Sequence, residues 1–153
     1  MEANDRIWKP HVTVAAVLER DGRFLLVEER TKRGAVYNQP AGHLEPGESL
    51  LDGAVRETLE ESAHHFTPNA LVGIYHYPSH DDGVTYLRFA FTGTVTGHDA
   101  DRVLDEGIIR AVWLTQDELR ACAQRHRSAL VMRCMDDYLA GHRYPLDLVT
   151  HYD

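Results

Sequence analysis

GHLEPGESLLDGAVRETLEES, residues 42–62, is the stretch on which the reading of this chain turns. Glu57, Glu60 and Glu61 within it are spaced i, i+3, i+4, which at about 100° per residue sets three carboxylates on one arc of a helix. Like charges this close repel, so a helix gains nothing from them unless a cation or a basic partner sits opposite. Grouped carboxylate oxygens suit a hard cation such as Mg²⁺ or Mn²⁺, which draws in phosphate oxygens, neutralises their charge and activates a water. RETLEES taken alone also fits an ordinary solvated helix face.

The residues around the glutamates extend the case. Gly47-Glu48-Ser49 offers a turn and then a serine able to cap a helix starting near Leu50. Leu51, Ala54, Val55 and Leu59 fall away from the carboxylates and supply an apolar stripe for a core. Gly53 inside the helix costs about 1 kcal/mol against alanine, and close packing on a sheet would account for it. Arg56 is placed to fix Glu48 or Glu57 through a forked ion pair.

Gly42, Glu48, Arg56, Glu57, Glu60 and Glu61 follow one rule: Gly, five residues, Glu, seven residues, Arg-Glu, two residues, Glu-Glu. With each position matching by chance about one time in fifteen, all six coincide in roughly one window in 10⁷. The pattern resembles the Nudix box, here residues 42–64, a loop–helix–loop that in that family binds divalent cations and a diphosphate. The resemblance implies Glu57 and Glu61 as the principal metal ligands, assisted by Glu60 and the Gly42 carbonyl, with Glu48 supporting them from behind. Three positions depart from the family pattern. Thr58 and His64 stand where aliphatic residues are usual, and Ala63 replaces the glycine that closes the helix. Alanine takes a left-handed conformation only with strain.

The rest of the chain reads as α+β. A length of 153 residues and 43% hydrophobic content suit one globular domain, residues 1–153. His11 to Arg20 alternates as a strand, and Asp21-Gly22 turns it into a second, Arg23 to Glu29. A loop follows from Arg30 to Gly34, then a short strand from Val36 to Ala41. Beyond the box, Ala70 to Tyr77, Val84 to Thr96 and Ile108 to Leu114 read as strands. Thr115 caps a helix to about Ala123, with Glu118 completing a capping box, and Ser128 caps another to about Ala140, ended by Gly141. The Nudix resemblance implies an α/β/α sandwich: a mixed sheet, the box helix on one face and the C-terminal helices on the other.

Trp8-KPHVTVAAVLERDGRFLLVEE, Tyr37-NQPAGHLE, Tyr86-LRFAF and Gly141-HRYPL also resemble a bacterial phosphatase subgroup of that family. The subgroup acts on nucleoside di- and triphosphates and on hydroxymethylpyrimidine diphosphate, a thiamine precursor, releasing inorganic phosphate. The resemblance implies such a metal-dependent activity here. Two other functions stay open: a housecleaning pyrophosphohydrolase cutting between the α and β phosphates, and a nucleotide-sensing module without catalysis. A general base comes either from the box or from outside it, where Asp105 and Glu106 precede a strand; Glu106 is assigned the catalytic part with Arg56, Glu57 and Glu60.

For the substrate, Tyr37, Asn38 and Gln39 lead into the box and could line a base pocket, although Tyr37 suits a core equally. His43 is the histidine expected near substrate. Arg88 lies among apolar strand residues and needs an anionic partner, either a phosphate or an internal glutamate. Lys32 and Arg33 could meet a terminal phosphate or simply face solvent.

A net charge of −8 argues against a nucleic-acid binder and leaves small phosphorylated metabolites as partners. No apolar run reaches the roughly 20 residues of a membrane span, and MEANDRIWKP lacks a signal-peptide core. Cys122 and Cys134 have no metal-type spacing and read as reduced thiols, and the ten histidines form no closed zinc set. A cytoplasmic protein, monomeric or homodimeric, is the expectation.

Overall fold

Alternating residues of His11–Ala16 (β1) part to opposite sides, and both sides are buried. Val14, Ala16 and Leu18 join Leu25, Ala54, Phe66 and Phe91 in one core; Ala15 and Val17 join Leu26, Ala90, Val131 and Met135 in another. A strand with period-two packing on both faces must lie between two layers. The layers are the box helix Leu50–Ser62 (α1), which carries Ala54, and the C-terminal helix Leu130–Leu139 (α2), which carries Val131 and Met135. The computed structural model describes residues 7–153, so part of the N-terminal stretch read for a signal sequence lies outside it.

The strands form two four-stranded sheets where the sequence suggested one. After β1 come Glu19–Arg20 (β2), Arg23–Thr31 (β3), Gly34–Asn38 (β4), Ala41–His43 (β5), His64–Pro78 (β6), Thr85–His98 (β7) and Ile108–Thr115 (β8). The first sheet, ordered β5-β1-β7-β6, is the mixed one, because β1 and β7 run parallel and its other pairs antiparallel. The second is built on β3, with β8 along one edge and β2 and β4 sharing the other.

Local signals account for most boundaries. Asp21 and Gly22 both have positive φ, 53° and 79°, as a two-residue hairpin turn requires. The expected strand to Ala41 is instead broken at Pro40, which has no N–H to donate, and the chain changes sheets there. The expected loop from Arg30 is shorter, since β3 runs to Thr31 and pairs with Gly34 across a tight turn. β6 starts six residues before the expected Ala70; register shifts beside Phe66, between Pro68 and Ala70, and before Gly73 hide its alternation. Thr115 caps Gln116–Ala121 (a short helix ahead of α2) with the full capping box, ending two residues before the expected Ala123. Ser128 Oγ accepts the Leu130 N–H at 3.2 Å, and Gly141 closes α2 with φ 88°. Both cysteines are free thiols. No helix among the described residues is long and apolar enough to cross a membrane.

Candidate active site

Ser49 begins α1 by accepting the Asp52 N–H at 3.0 Å. One turn later Arg56 reaches back over that cap. Its Nε and Nη2 donate to the two oxygens of Glu48 at 2.8 and 2.7 Å, a forked pair. Nη1 contacts Glu57 at 2.7 Å, Glu60 at 3.2 Å and Glu45 at 3.3 Å, and Nη2 also donates to the His43 carbonyl at 3.1 Å. The guanidinium thus ties the loop to the helix. Its hydrogen bonds hold the Glu48 carboxyl below the usual carboxylate range. Gly53 gives Glu48 its room: a Cβ there would stand 2.9 Å from Glu48 Oε1 and 3.3 Å from Val14, the close packing its position suggested.

Gly42 does the same for Glu57. A Cβ on Gly42 would lie 2.2 to 2.4 Å from the Glu57 carboxyl atoms, so the carboxylate rests directly on the β5 backbone. Burial raises the Glu57 pKa against the pull of Arg56, and Glu60 and Asp105 raise it further. Glu57, Glu60 and Asp105 can each offer an oxygen, all within 4.8 Å of one another. Two ligands on one Mg²⁺ at about 2.1 Å are at most about 4.2 Å apart, so small rotations bring this group to coordination distance. The residues present fit a divalent cation.

Glu61 points differently. Its Oε1 accepts the Ala41 N–H at 2.9 Å, and it lines the neighbouring cleft. Burial, with Glu29, Glu57 and Asp105 adding like charge, pushes its pKa up to about 8. Glu106, the outside residue expected from sequence, makes no side-chain hydrogen bond among the described residues and is exposed. Asp105, rather than Glu106, stands beside Glu57 and Glu60, and its N–H donates to the Glu60 carbonyl at 3.0 Å, docking the loop on α1.

The departures from the box pattern are accommodated within the helix end. Thr58 and Ser62 donate their hydroxyls to the Ala54 and Thr58 carbonyls at 2.8 and 2.6 Å. Ala63 adopts the left-handed conformation, φ 59° and ψ 21°, that glycine would take freely. His64 is buried, stacks on His98 at 4.2 Å and bonds the Ser62 carbonyl through Nδ1 at 2.6 Å.

An open cleft of about 960 Å³ runs from Gly42 and Glu61 across the β5-β1-β7 face. Asn38, His43 and Arg88 line it, and so do Lys32 and Arg33; Arg33 Nη2 also donates to the His126 and Arg127 carbonyls. Tyr37 and Gln39 are corrections: neither lines the cleft. Tyr37 is 6% exposed, packs in the core and carries Arg125 over its ring at 4.6 Å. Gln39 is 1% exposed and spans between the Val131 carbonyl at 2.8 Å and Arg88. Among the described residues Arg88 has no carboxylate against it, so the internal-glutamate alternative falls away.

A half-buried arginine–glutamate hub beside a cluster of carboxylates, on a helix packed against a mixed sheet, defines the class. The NUDIX domain family model matches residues 9–134. This chain belongs to the Nudix family and is a hydrolase. It is 35% identical over 147 residues to the phosphatase NudJ of Escherichia coli K12, covering 96% of this chain and 95% of that one, and equally similar to the Shigella flexneri protein of that name. A solved Nudix hydrolase from Nitrosomonas europaea superposes with TM-score 0.92 at 54% identity, covering 94% of this chain and 98% of that one. A bifunctional NMN adenylyltransferase/ADP ribose pyrophosphatase from Francisella tularensis, solved with AMP and a manganese ion, shares the fold at TM-score 0.75 and 14% identity, over 92% of this chain and 44% of that one.

Proposed function

We propose that this chain is a metal-dependent phosphatase of nucleoside di- and triphosphates and of hydroxymethylpyrimidine diphosphate, releasing inorganic phosphate. The charge imbalance at Arg56 carries the reading. Four carboxylates contact one guanidinium, and Asp105 adds another beside Glu57 and Glu60. A diphosphate would be repelled from such a place unless a divalent cation accompanied it. The similarity to NudJ over nearly the whole length of both chains supports the phosphatase assignment.

Glu57, Glu60 and Asp105 would hold Mg²⁺, or Mn²⁺ in its place, with Glu61 and the Gly42 carbonyl alongside. Such an ion supplies charge neutralisation for the phosphate oxygens and a more acidic water. Arg56 keeps Glu57 and Glu60 aimed, and Gly42 leaves the space that lets Glu57 sit against β5. Glu61 Oε1 is fixed by Ala41, which leaves Oε2 facing the cleft to accept the proton of the attacking water. Lys32 and Arg33 border the same cleft and would meet the outermost phosphate. A cytoplasmic protein in one or two copies accords with this reading.

The test is a phosphate-release screen over nucleoside diphosphates, triphosphates and hydroxymethylpyrimidine diphosphate, with Mg²⁺ and with chelator. Turnover should vanish in chelator and fall at least about a hundredfold in Glu61→Gln and Asp105→Asn while the far-ultraviolet spectrum is unchanged. Full activity in chelator refutes the metal. Pyrophosphate and a nucleoside monophosphate from a triphosphate would instead place the cut between the α and β phosphates.

A further inference from the structure

Arg88 is 6% exposed, and among the described residues every group it hydrogen-bonds is neutral. Nη1 donates to Gln39 Oε1 at 3.1 Å and to Cys134 Sγ at 3.7 Å, and Nη2 donates to Asn38 Oδ1 at 3.2 Å. A guanidinium carries five N–H groups, so one on Nη2 and the one on Nε are left over. Nε is buried with no hydrogen-bond partner, alone in this among the side-chain nitrogens and oxygens of the described residues. A buried charge with an orphaned donor calls for an acceptor that the protein does not supply.

The surroundings say where that acceptor comes from. Nε and Nη2 are the adjacent nitrogens of one guanidinium edge, and Arg88 lines the cleft. Asn38 turns its Oδ1 to Arg88, which points its Nδ2 donors away from the guanidinium; it too lines the cleft. Of the four acidic residues bordering the cleft, Glu29 bonds Arg127, Asp82 the Tyr86 hydroxyl and Glu61 the Ala41 N–H, and neither these nor Asp81 bonds Arg88. This part of the floor therefore offers donors. In register, Thr13 pairs with both His43 and Arg88, which puts Arg88 two strands from the β5 edge where Gly42 meets Glu57. Two strand spacings are about 10 Å, a span that a ribose and its base can bridge.

We propose that Arg88, held by Asn38 and Gln39, reads the head group and selects a 6-keto purine, guanine or hypoxanthine. The inference rests on the nucleotide phosphatase reading above. O6 and N7 of such a base are two adjacent acceptors that match one guanidinium edge, whereas adenine sets an amino donor where O6 would be. Arg88 is then a specificity residue, and Gln39 and Asn38 are positioning residues that act through it.

IDP and ADP differ at this base edge and share their phosphates. With Mg²⁺, kcat/KM for IDP should exceed that for ADP by roughly tenfold or more. Arg88→Lys keeps the charge and loses the edge, so the ratio should fall towards one. Asn38→Asp is nearly isosteric, pairs Arg88 internally and repels O6, so it should lower the ratio even if Arg88→Lys fails to fold. Calorimetry with IMP and AMP reads the head group without turnover and should show the same preference. If neither diphosphate is hydrolysed, the phosphatase reading fails, and tighter IMP binding still supports the keto preference. Wild-type ratios within about twofold in both kinetics and calorimetry, or a preference that survives in folded Asn38→Asp, overturn it.

Discussion

Gly42→Ala isolates the geometry of the carboxylate cluster from its chemistry, because it removes no functional group. The new Cβ would stand 2.2 Å from Glu57 Cδ, where ordinary contact begins near 3.4 Å, so the carboxyl must retreat by about 1.2 Å. That displacement pulls Glu57 off Arg56, now 2.7 Å away, and opens the group it forms with Glu60 and Asp105. A misplacement of about 1 Å at a reacting centre can cost roughly 10²-fold in rate. The fold should survive, since the clash is with the end of a flexible side chain and overpacking of this kind costs about 1–3 kcal/mol. Phosphate release at saturating Mg²⁺ and a Mg²⁺ titration followed by thermal shift would measure both effects. We expect kcat/KM to fall about a hundredfold and the half-saturating Mg²⁺ concentration to rise, with a native circular dichroism spectrum. Wild-type kinetics and Mg²⁺ dependence in a folded Gly42→Ala protein would refute the placement of Glu57 in the site.

Other outcomes follow from the same contacts. Arg56→Lys keeps a cation but loses the fork on Glu48 and the reach to Glu57, Glu60 and Glu45, so Tm and kcat/KM should both drop; loss of a charge-assisted hydrogen bond is worth about 1.5–3 kcal/mol, and an unchanged Tm would count against the hub. Glu61, whose pKa is pushed up to about 8, keeps a proton on folding that the unfolded chain releases near 4.5, so without a cation its contribution to stability is lost as pH rises from about 4.5 to 8. Urea midpoints in chelator should therefore fall more steeply across that range in wild type than in Glu61→Gln, and equal slopes would exclude Glu61 as the source. Gln39→Leu strands Arg88 Nη1 and the Val131 carbonyl, and should destabilise by about 3 kcal/mol, a Tm loss of roughly 6–12 °C; a stable Gln39→Leu would mean the bridge carries no weight.

Residues joined by short stretches of helix and turn were legible from spacing alone. Ser49 and Thr115 cap because their hydroxyls meet an N–H three residues on, and Arg56 meets Glu57 and Glu60 because the helix puts them on its own arc. The Asp21-Gly22 turn belongs to the same class. Even Tyr37 and Gln39 carried a warning: in an extended chain they flank Asn38 on the opposite face, so the three could not all reach one pocket. Bulges in the β6–β7 pair, by contrast, erased the alternation that would have revealed where β6 begins.

Sequence by itself determined the arc of carboxylates and the helix with its cap, since these depend on backbone periodicity within about twenty residues, and the resemblance of the same stretch to the Nudix box pointed to the hydrolase family. Only the tertiary structure decided that Asp105 rather than Glu106 joins the cluster, that the strands split into two sheets, and that Arg88 meets no carboxylate among the described residues. Those outcomes depend on where distant segments come to rest, as when a backbone bond from Asp105 to Glu60 fixes a loop. Side-chain spacing along the chain carries no record of such long-range docking.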